Sequence, residues 1–303
     1  METLMYVLTG ATGKTGRIIS NILLNHGQKV RAIARNAERL SHLEDNGAEI
    51  MPGDLENENF VLKAFQGAKA AYVLIPPNVN AENFTEYQIG IIENIASALE
   101  KSDITHVVAL SSVGAHLPEN NGVVKGLHYM EQRLNKIESL HVKYIRATYF
   151  MENLFQTIEM VKANNRLALP VDPHLKFPMT GKRDVAKVIV QHLLDLDFEG
   201  KSVDYVLGER DVSFAGITEV LGKAIGRYDL SYSQVTYDST RKSLIKKGMS
   251  ESAADAHTEF LHAINEGYLF GETERTPENT TPISIEEFSR QYALLYESRQ
   301  PVV

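Results

Sequence analysis

The chain has 303 residues, no cysteine and a formal net charge of −8 at pH 7. The absence of cysteine excludes disulfides, thiol catalysis and cysteine metal sites, and the negative charge argues against nucleic acid as a main partner. No signal-peptide pattern precedes the first strand pattern, and no apolar run approaches the length of a membrane span. We therefore expect a cytoplasmic protein, a monomer or a homodimer, that binds neither nucleic acid nor a membrane.

Strand-like and helical patterns alternate through the first half of the chain. Helical patterns cover residues 14–25, 56–65, 84–101 and 124–137. Apolar strand-like runs occupy residues 4–9, 29–34, 49–52, 70–76, 105–111 and 142–147. This order predicts an α/β fold of the Rossmann type, with a doubly wound parallel sheet.

The second half of the chain has a different, mostly helical pattern. It contains an amphipathic helix at 184–196, a further strand at 203–207 and a loop-like stretch at 164–179 that is rich in proline and asparagine. Further helices are predicted at 212–225, 239–247, 251–267 and 284–296, the last with Ser284 as N-cap and Glu287 completing a capping box. We expect residues 1–150, completed by about 180–208, to form a cofactor-binding domain. Residues 151–179 and 209–303 then form a smaller C-terminal lobe for the substrate.

A glycine-rich turn, Gly10-Ala11-Thr12-Gly13-Lys14-Thr15-Gly16, connects the first strand to the first helix. This context is typical of dinucleotide binding, because the three glycines permit a tight turn, close approach of a diphosphate and close helix packing. The N–H groups at the start of the helix then face the phosphates. A triphosphate-binding P-loop is excluded, since that motif requires a glycine at position 8, where this chain has Leu8.

The residue that ends the second strand indicates which cofactor is bound. Arg35 lies 19 positions after Gly16, where NAD-preferring folds carry an acid that binds the ribose hydroxyls. A guanidinium instead pairs with a 2′-phosphate. Arg35 therefore predicts NADP(H), and Lys14 adds a second positive charge near the phosphates.

The chain resembles the NmrA-like branch of the atypical short-chain dehydrogenases over most of its length. The resemblance rests on the glycine turn, on Arg35, on Gly-Asp-Leu at 53–55, on Tyr-Ile-Arg at 144–146 leading to Phe-Met-Glu-Asn-Leu at 150–154, and on Arg-Asp-Val-Ala at 183–186. It implies a two-lobed protein that binds NADP(H). Some such relatives reduce quinones, azo or triarylmethane dyes, or enone-like substrates, and others only sense the cofactor.

The resemblance also implies positions for the cofactor. Asp54 and Leu55 border the adenine, Ile75 and Pro76 line the cofactor through backbone atoms, and the stretch 148–153 flanks the nicotinamide. Each has a structural alternative: Asp54 as a turn residue, Pro76 as a strand terminator and Phe150 as core packing. The full predicted cofactor-binding set is Gly10, Thr12, Gly13, Lys14, Thr15, Gly16, Arg35, Asp54, Leu55, Ile75, Pro76, Ser111, Thr148, Tyr149 and Phe150.

The catalytic residues are less well defined by the sequence. Ordinary short-chain dehydrogenases use a strand-end serine with a tyrosine and a lysine four residues apart, but here Tyr129 is followed by Arg133. Arginine is fixed in charge and replaces that lysine poorly. Tyr129 is therefore a candidate catalytic residue whose alternative explanation is that Tyr129 and Arg133 form one face of a helix. His128 falls near the position where reductases of this branch carry a lysine or histidine, which predicts a proton donor or substrate ligand. No metal site is predicted, since His257 and His262 point to different helix faces.

These features predict an NADPH-dependent reductase of a small, largely apolar electrophile such as a quinone, an azo or triarylmethane dye, or an enone. The alternative is a non-enzymatic NADP(H) sensor that binds a protein partner. A nucleotide-sugar epimerase or dehydratase is a third interpretation, weakened by the missing tyrosine–lysine pair.

Overall fold

The computed structural model describes residues 4–271 and 273–298. Its strands are β1 (Met5–Leu8), β2 (Lys29–Ala34), β3 (Glu49–Pro52), β4 (Ala70–Val73), β5 (His106–Ser112), β6 (His141–Ala147), β7 (Tyr149–Phe150), β8 (Arg166–Leu169), β9 (Phe177–Thr180), β10 (Lys201–Val206), β11 (Asp211–Val212) and β12 (Ser231–Gln234). Its α-helices are α1 (Lys14–Asn25), α2 (Ser41–Asp45), α3 (Glu58–Phe65), α4 (Phe84–Glu100), α5 (Lys125–Asn135), α6 (Ile158–Asn164), α7 (Lys182–Asp195), α8 (Phe214–Ala224), α9 (Tyr237–Lys246), α10 (Glu251–Asn265) and α11 (Ile285–Glu297).

Seven parallel strands form the main sheet, in the order β10-β6-β5-β4-β1-β2-β3. Helices cover both faces, as the continuous apolar strand patterns require. In β5, Val107 and Ala109 pack in the core beneath α3, α4 and α5, whereas Val108 and Leu110 pack in the core beneath α1 and α7. The predicted doubly wound α/β fold is confirmed.

A third apolar core lies in the part of the chain that follows β6. It is centred on buried aromatic residues, among them Phe177, Phe214 and Tyr292, and is built from α6, α8, α10, α11 and two small sheets, β11-β9-β7 and β12-β8. Thr148 alone separates β6 from β7, so the main sheet runs directly into this region. Where the boundary between the two lobes falls stays a prediction.

The predicted loop at 164–179 is wrong in part, because it contains β8 and most of β9. Their hydrogen-bonding partners are β12 for β8, and β7 and β11 for β9, at distant positions in the sequence. Strand formation there depends on tertiary pairing rather than on a local pattern. In contrast, α11 begins where the sequence indicates, and the Ser284 hydroxyl accepts a hydrogen bond from the Glu287 N–H at 3.1 Å.

Candidate cofactor and substrate site

The glycine turn between β1 and α1 has the conformation that its sequence predicts. Gly10 has φ of +65°, a conformation that residues with a side chain rarely adopt, and a Cβ there would also require the Leu74 side chain to move. A Cβ at Gly16 would collide with the carbonyl oxygen of Gly10. A Cβ at Gly13, by contrast, meets only the Gly10 oxygen at 3.2 Å and otherwise projects into open space. Gly10 and Gly16 are thus required by the turn itself, whereas Gly13 leaves room for an external group.

The N-terminus of α1 is prepared for an anion. No side chain caps it, and its first turn contains no acidic residue. Among the described residues, the N–H groups of Lys14, Thr15 and Gly16 find no acceptor. Unpaired N–H groups at a helix start attract negative charge, so this turn fits the diphosphate of a dinucleotide.

A pocket opens beside the turn, above the carboxyl ends of β1, β2 and β3. Arg35 at its edge is exposed and forms no salt bridge with any residue that the structure describes. The pocket is lined by Gly10, Thr12, Ile33, Ala34, Arg35, Gly53, Asp54, Leu55, Pro76 and Tyr87. Six of the predicted cofactor-binding residues therefore line one pocket, namely Gly10, Thr12, Arg35, Asp54, Leu55 and Pro76. The guanidinium of Arg35 forms no ion pair with any described residue.

Asp54 is a turn residue that also lines the pocket. Its carboxylate accepts a hydrogen bond from the Glu56 N–H at 3.0 Å, which stabilises the turn after β3, and it also lines the pocket. Leu55 is buried beside it, and its carbonyl accepts a hydrogen bond from Asn94 at 2.8 Å.

Sequence reasoning missed Tyr87, which lines the same pocket from the first turns of α4. Burial raises the pKa of its phenol; Arg35 opposes this, and Glu56 and Asp54 add to it. A phenol within the field of these three charges can contact the adenosine end of a cofactor. The available signal was Asn83, whose side chain caps α4 and so places Tyr87 one turn inside the helix.

The end of β4 closes the pocket near Gly10. Regular strand pairing ends at Val73, earlier than predicted, because the Thr9 hydroxyl both donates to the Leu74 carbonyl at 2.8 Å and accepts from the Leu74 N–H at 2.7 Å. Ile75 is buried in the core, while Pro76 lines the pocket. The role of the Ile75 backbone in binding a cofactor stays a prediction.

The side chains of the segment after β6 are engaged within the protein. The Thr148 hydroxyl is buried and donates to the Val206 carbonyl at 3.3 Å. Tyr149 packs among aromatic rings, with Phe260 stacked at 6.4 Å between ring centres. Phe150 packs against the core beneath α1 and α7. The core-packing alternative thus describes the Phe150 side chain.

The Ser111 side chain is not part of the pocket around Arg35. Its side chain is buried on the α5 face of the sheet, where its hydroxyl donates to Glu131 at 2.6 Å. Glu131 also receives two hydrogen bonds from Arg146, at 3.0 and 2.6 Å, and Arg146 donates to the Tyr205 hydroxyl at 2.8 Å. Ser111 belongs to this buried ionic network and does not reach the cofactor pocket, because its strand position faces α5.

His128 lies on α5, half-buried, with Nδ1 2.8 Å from the Ala115 carbonyl oxygen. A carbonyl only accepts, so Nδ1 carries the hydrogen in this contact. The neutral ring then presents a bare Nε2, and only the cation has an Nε2 proton to give. His128 follows the loop after β5, at the carboxyl end of the sheet.

Tyr129 points in another direction, towards α4. Its hydroxyl donates to Glu93 at 2.5 Å, and Arg133 pairs with both Glu93 at 3.0 Å and Glu100 at 2.9 Å. The hydrogen bond to Glu93, with burial, raises the pKa of Tyr129. The structure does not bring Tyr129 to the cofactor pocket, and the helix-face explanation accounts for both it and Arg133.

A comparison of the whole chain with known protein families agrees with the glycine turn, the unpaired arginine and the parallel sheet. The model of the NmrA-like family matches residues 3–292. The chain belongs to the NmrA-like family. An NAD(P)H azoreductase from Xenophilus azovorans is 22% identical over 96% of this chain and 99% of its own length.

Solved structures of similar fold include reductases and a regulator. An NADPH-dependent quinone oxidoreductase from Escherichia coli, complexed with NADPH, has a TM-score of 0.80 at 17% identity, covering 95% of this chain and 99% of its own. NmrA, a negative transcriptional regulator in complex with NADP, has a TM-score of 0.70 at 14% identity, covering 96% of this chain and 91% of its own. In the part of this NmrA-like chain that is described, no helix is long and apolar enough to cross a membrane.

Proposed function

We propose that this NmrA-like protein is an NADPH-dependent reductase of a small, largely apolar electrophile, with a quinone or dye as the representative substrate. The observation that carries the proposal is the pocket that Arg35, without an ion-pair partner among the described residues, lines together with Gly10 and Thr12 of the turn that leads into the uncapped start of α1. The azoreductase and quinone oxidoreductase names of its relatives support it.

Lys14, Thr15 and Gly16 would hold the diphosphate through their free backbone N–H groups, and Arg35 would hold the 2′-phosphate. When bound, NADPH supplies a hydride, and the acceptor takes up this hydride and one proton to become the hydroquinone, leaving NADP⁺. A quinone accepts hydride readily, so positioning supplies most of the rate enhancement. This chemistry suits a site in which Tyr129 and Ser111 are engaged elsewhere.

His128 would supply the proton from Nε2 while the Ala115 carbonyl holds the other side of the ring. Water can replace it, since protonation can follow hydride transfer to a quinone. The test is NADPH oxidation by the purified protein with a panel of quinones, azo dyes and triarylmethane dyes. Absence of turnover with every class, in protein that binds NADPH, refutes the proposal.

The second candidate is a cofactor sensor that changes its contacts with a protein partner. The ion pairs of Arg133 favour it, because no tyrosine–lysine pair is present to do chemistry at that position. The NADP-bound regulator of similar fold also supports it. Tight NADPH binding without turnover, together with a co-purifying protein, is its expected signature.

A further inference from the structure

A cluster of three charged side chains lies beside the glycine turn, outside the Arg35 pocket. Lys14 on α1 and Lys182 at the start of α7 each place an ammonium against an aromatic ring of the segment after β6. The Lys14 Nζ lies 4.9 Å from the centre of the Phe155 ring, and the Lys182 Nζ lies 5.3 Å from the centre of the Phe150 ring. Glu152 lies between these two phenylalanines in the sequence.

The carboxylate of Glu152 does not neutralise the two lysines. Its oxygens accept the Lys182 backbone N–H at 2.9 and 3.1 Å, so it serves as the cap of α7. Neither ammonium forms a salt bridge with any residue in the described ranges. Two positive charges against one negative charge leave this cluster, in which Lys14 is exposed and Lys182 and Glu152 are half-buried, with a net positive charge.

The pKa shift of Lys182 agrees with a cluster that carries excess positive charge. Burial lowers the pKa of Lys182, Glu152 opposes this, and the positive charge of Lys14 adds to it. Burial also raises the pKa of Glu152. An anion bound near the two ammonium groups would raise the pKa of Lys182 towards its ordinary value, since an opposite charge favours the charged form of a lysine.

The position of α7 indicates which part of a ligand would meet the cluster. Arg35 and Asp54 mark the adenosine end, beside β2 and β3. In contrast, α7 packs against α1 and against β4, β5 and β6, on the other half of the sheet. The diphosphate between the two ends already has the free N–H groups of α1.

We propose that Lys14 and Lys182 bind an anionic substituent of the substrate, a sulfonate, carboxylate or phosphate attached to the apolar electrophile. The proposal rests on the reductase function above and narrows its substrate class. Phe150 and Phe155 hold the ammonium groups in place, and the reducible ring lies towards the carboxyl ends of β5 and β6.

The test compares a naphthoquinone with its monosulfonate in the wild type and in Lys182→Met. Methionine preserves much of the apolar stem and removes the charge. We expect the ratio of kcat/KM for the sulfonate to kcat/KM for the neutral quinone to fall about tenfold, the size of one charge-assisted contact. Lys187→Met, an exposed position further along α7, is the matched control and should leave this ratio at its wild-type value.

Binding measurements separate this inference from the reductase proposal. Calorimetry with a naphthalene sulfonate in the presence of NADP⁺ needs no turnover. A sulfonate affinity that Lys182→Met weakens supports the anion site even in an inactive protein. If Lys182→Met weakens NADPH binding and leaves the sulfonate ratio unchanged, the anion is the cofactor's diphosphate and the substrate assignment is overturned. Unchanged sulfonate and NADPH binding also overturns it.

Discussion

Arg35→Ala is expected to remove the preference for NADPH. A hydrogen bond to a charged group contributes about 1.5–3 kcal/mol, and solvent screening at the exposed position of Arg35 places the value near the lower end. We therefore expect a loss of about 1.5–2 kcal/mol, or about 10- to 30-fold in the NADPH dissociation constant. The carboxylate of Asp54 remains in the pocket, so the 2′-phosphate would then meet only negative charge.

Calorimetry with NADPH and NADH checks this expectation. NADH affinity should change less than about twofold, since it has no 2′-phosphate for the guanidinium to contact. Arg39→Ala, an exposed arginine in the short helix that follows β2, is the matched control and should bind both cofactors as the wild type does. Equal losses for NADH and NADPH, or tighter NADH binding by the wild type, refute the reasoning.

Three further outcomes follow from the same geometry. Gly13→Val should abolish binding of both cofactors in a folded protein, whereas Gly16→Val should disrupt folding, because of these two glycines Gly16 is the one enclosed by the turn. Circular dichroism together with cofactor titration checks this, and retained binding by folded Gly13→Val contradicts it. His128→Ala should lower turnover about 100-fold or more, the scale of a positioned proton donor, and should leave cofactor affinity nearly unchanged. Steady-state kinetics with a cofactor titration test it, and wild-type turnover in the variant removes His128 from the mechanism. Glu131→Gln should lower the free energy of unfolding, measured in urea, by about 3–5 kcal/mol, the scale for breaking a buried ion pair. Asp238→Asn, which breaks an exposed ion pair, should have little effect, and equal effects of the two substitutions contradict the burial argument.

The cofactor side of the site could be predicted from sequence because its signals are local. The glycine turn and Arg35 lie within two consecutive βα units, and strand, turn and helix fix their positions relative to one another. The conformation of Gly10 and the close packing of Gly16 follow from that short segment alone. The parallel sheet follows in the same way from alternating patterns.

Other positions depend on contacts between residues that are distant in the sequence, and there sequence reasoning was less successful. Ser111 occupies the expected strand end, but its direction is decided by Glu131, twenty positions later. Tyr87 and Lys182 reach their places through α4 and α7, whose docking no local pattern describes. Burial and ion pairing of a particular side chain emerge only when the elements are assembled.

The single-residue connection at Thr148 has a consequence for dissecting the protein. The chain passes from the main sheet into the small sheets at Thr148, returns to the main sheet through α7 and β10, and leaves it again at β11. Each region is therefore assembled from non-contiguous pieces, and a cut in any one crossing separates strands that pair with each other. Limited proteolysis should yield no independently stable half, and expression of residues 1–150 alone should give an incomplete sheet that exposes the edge of β6 and aggregates.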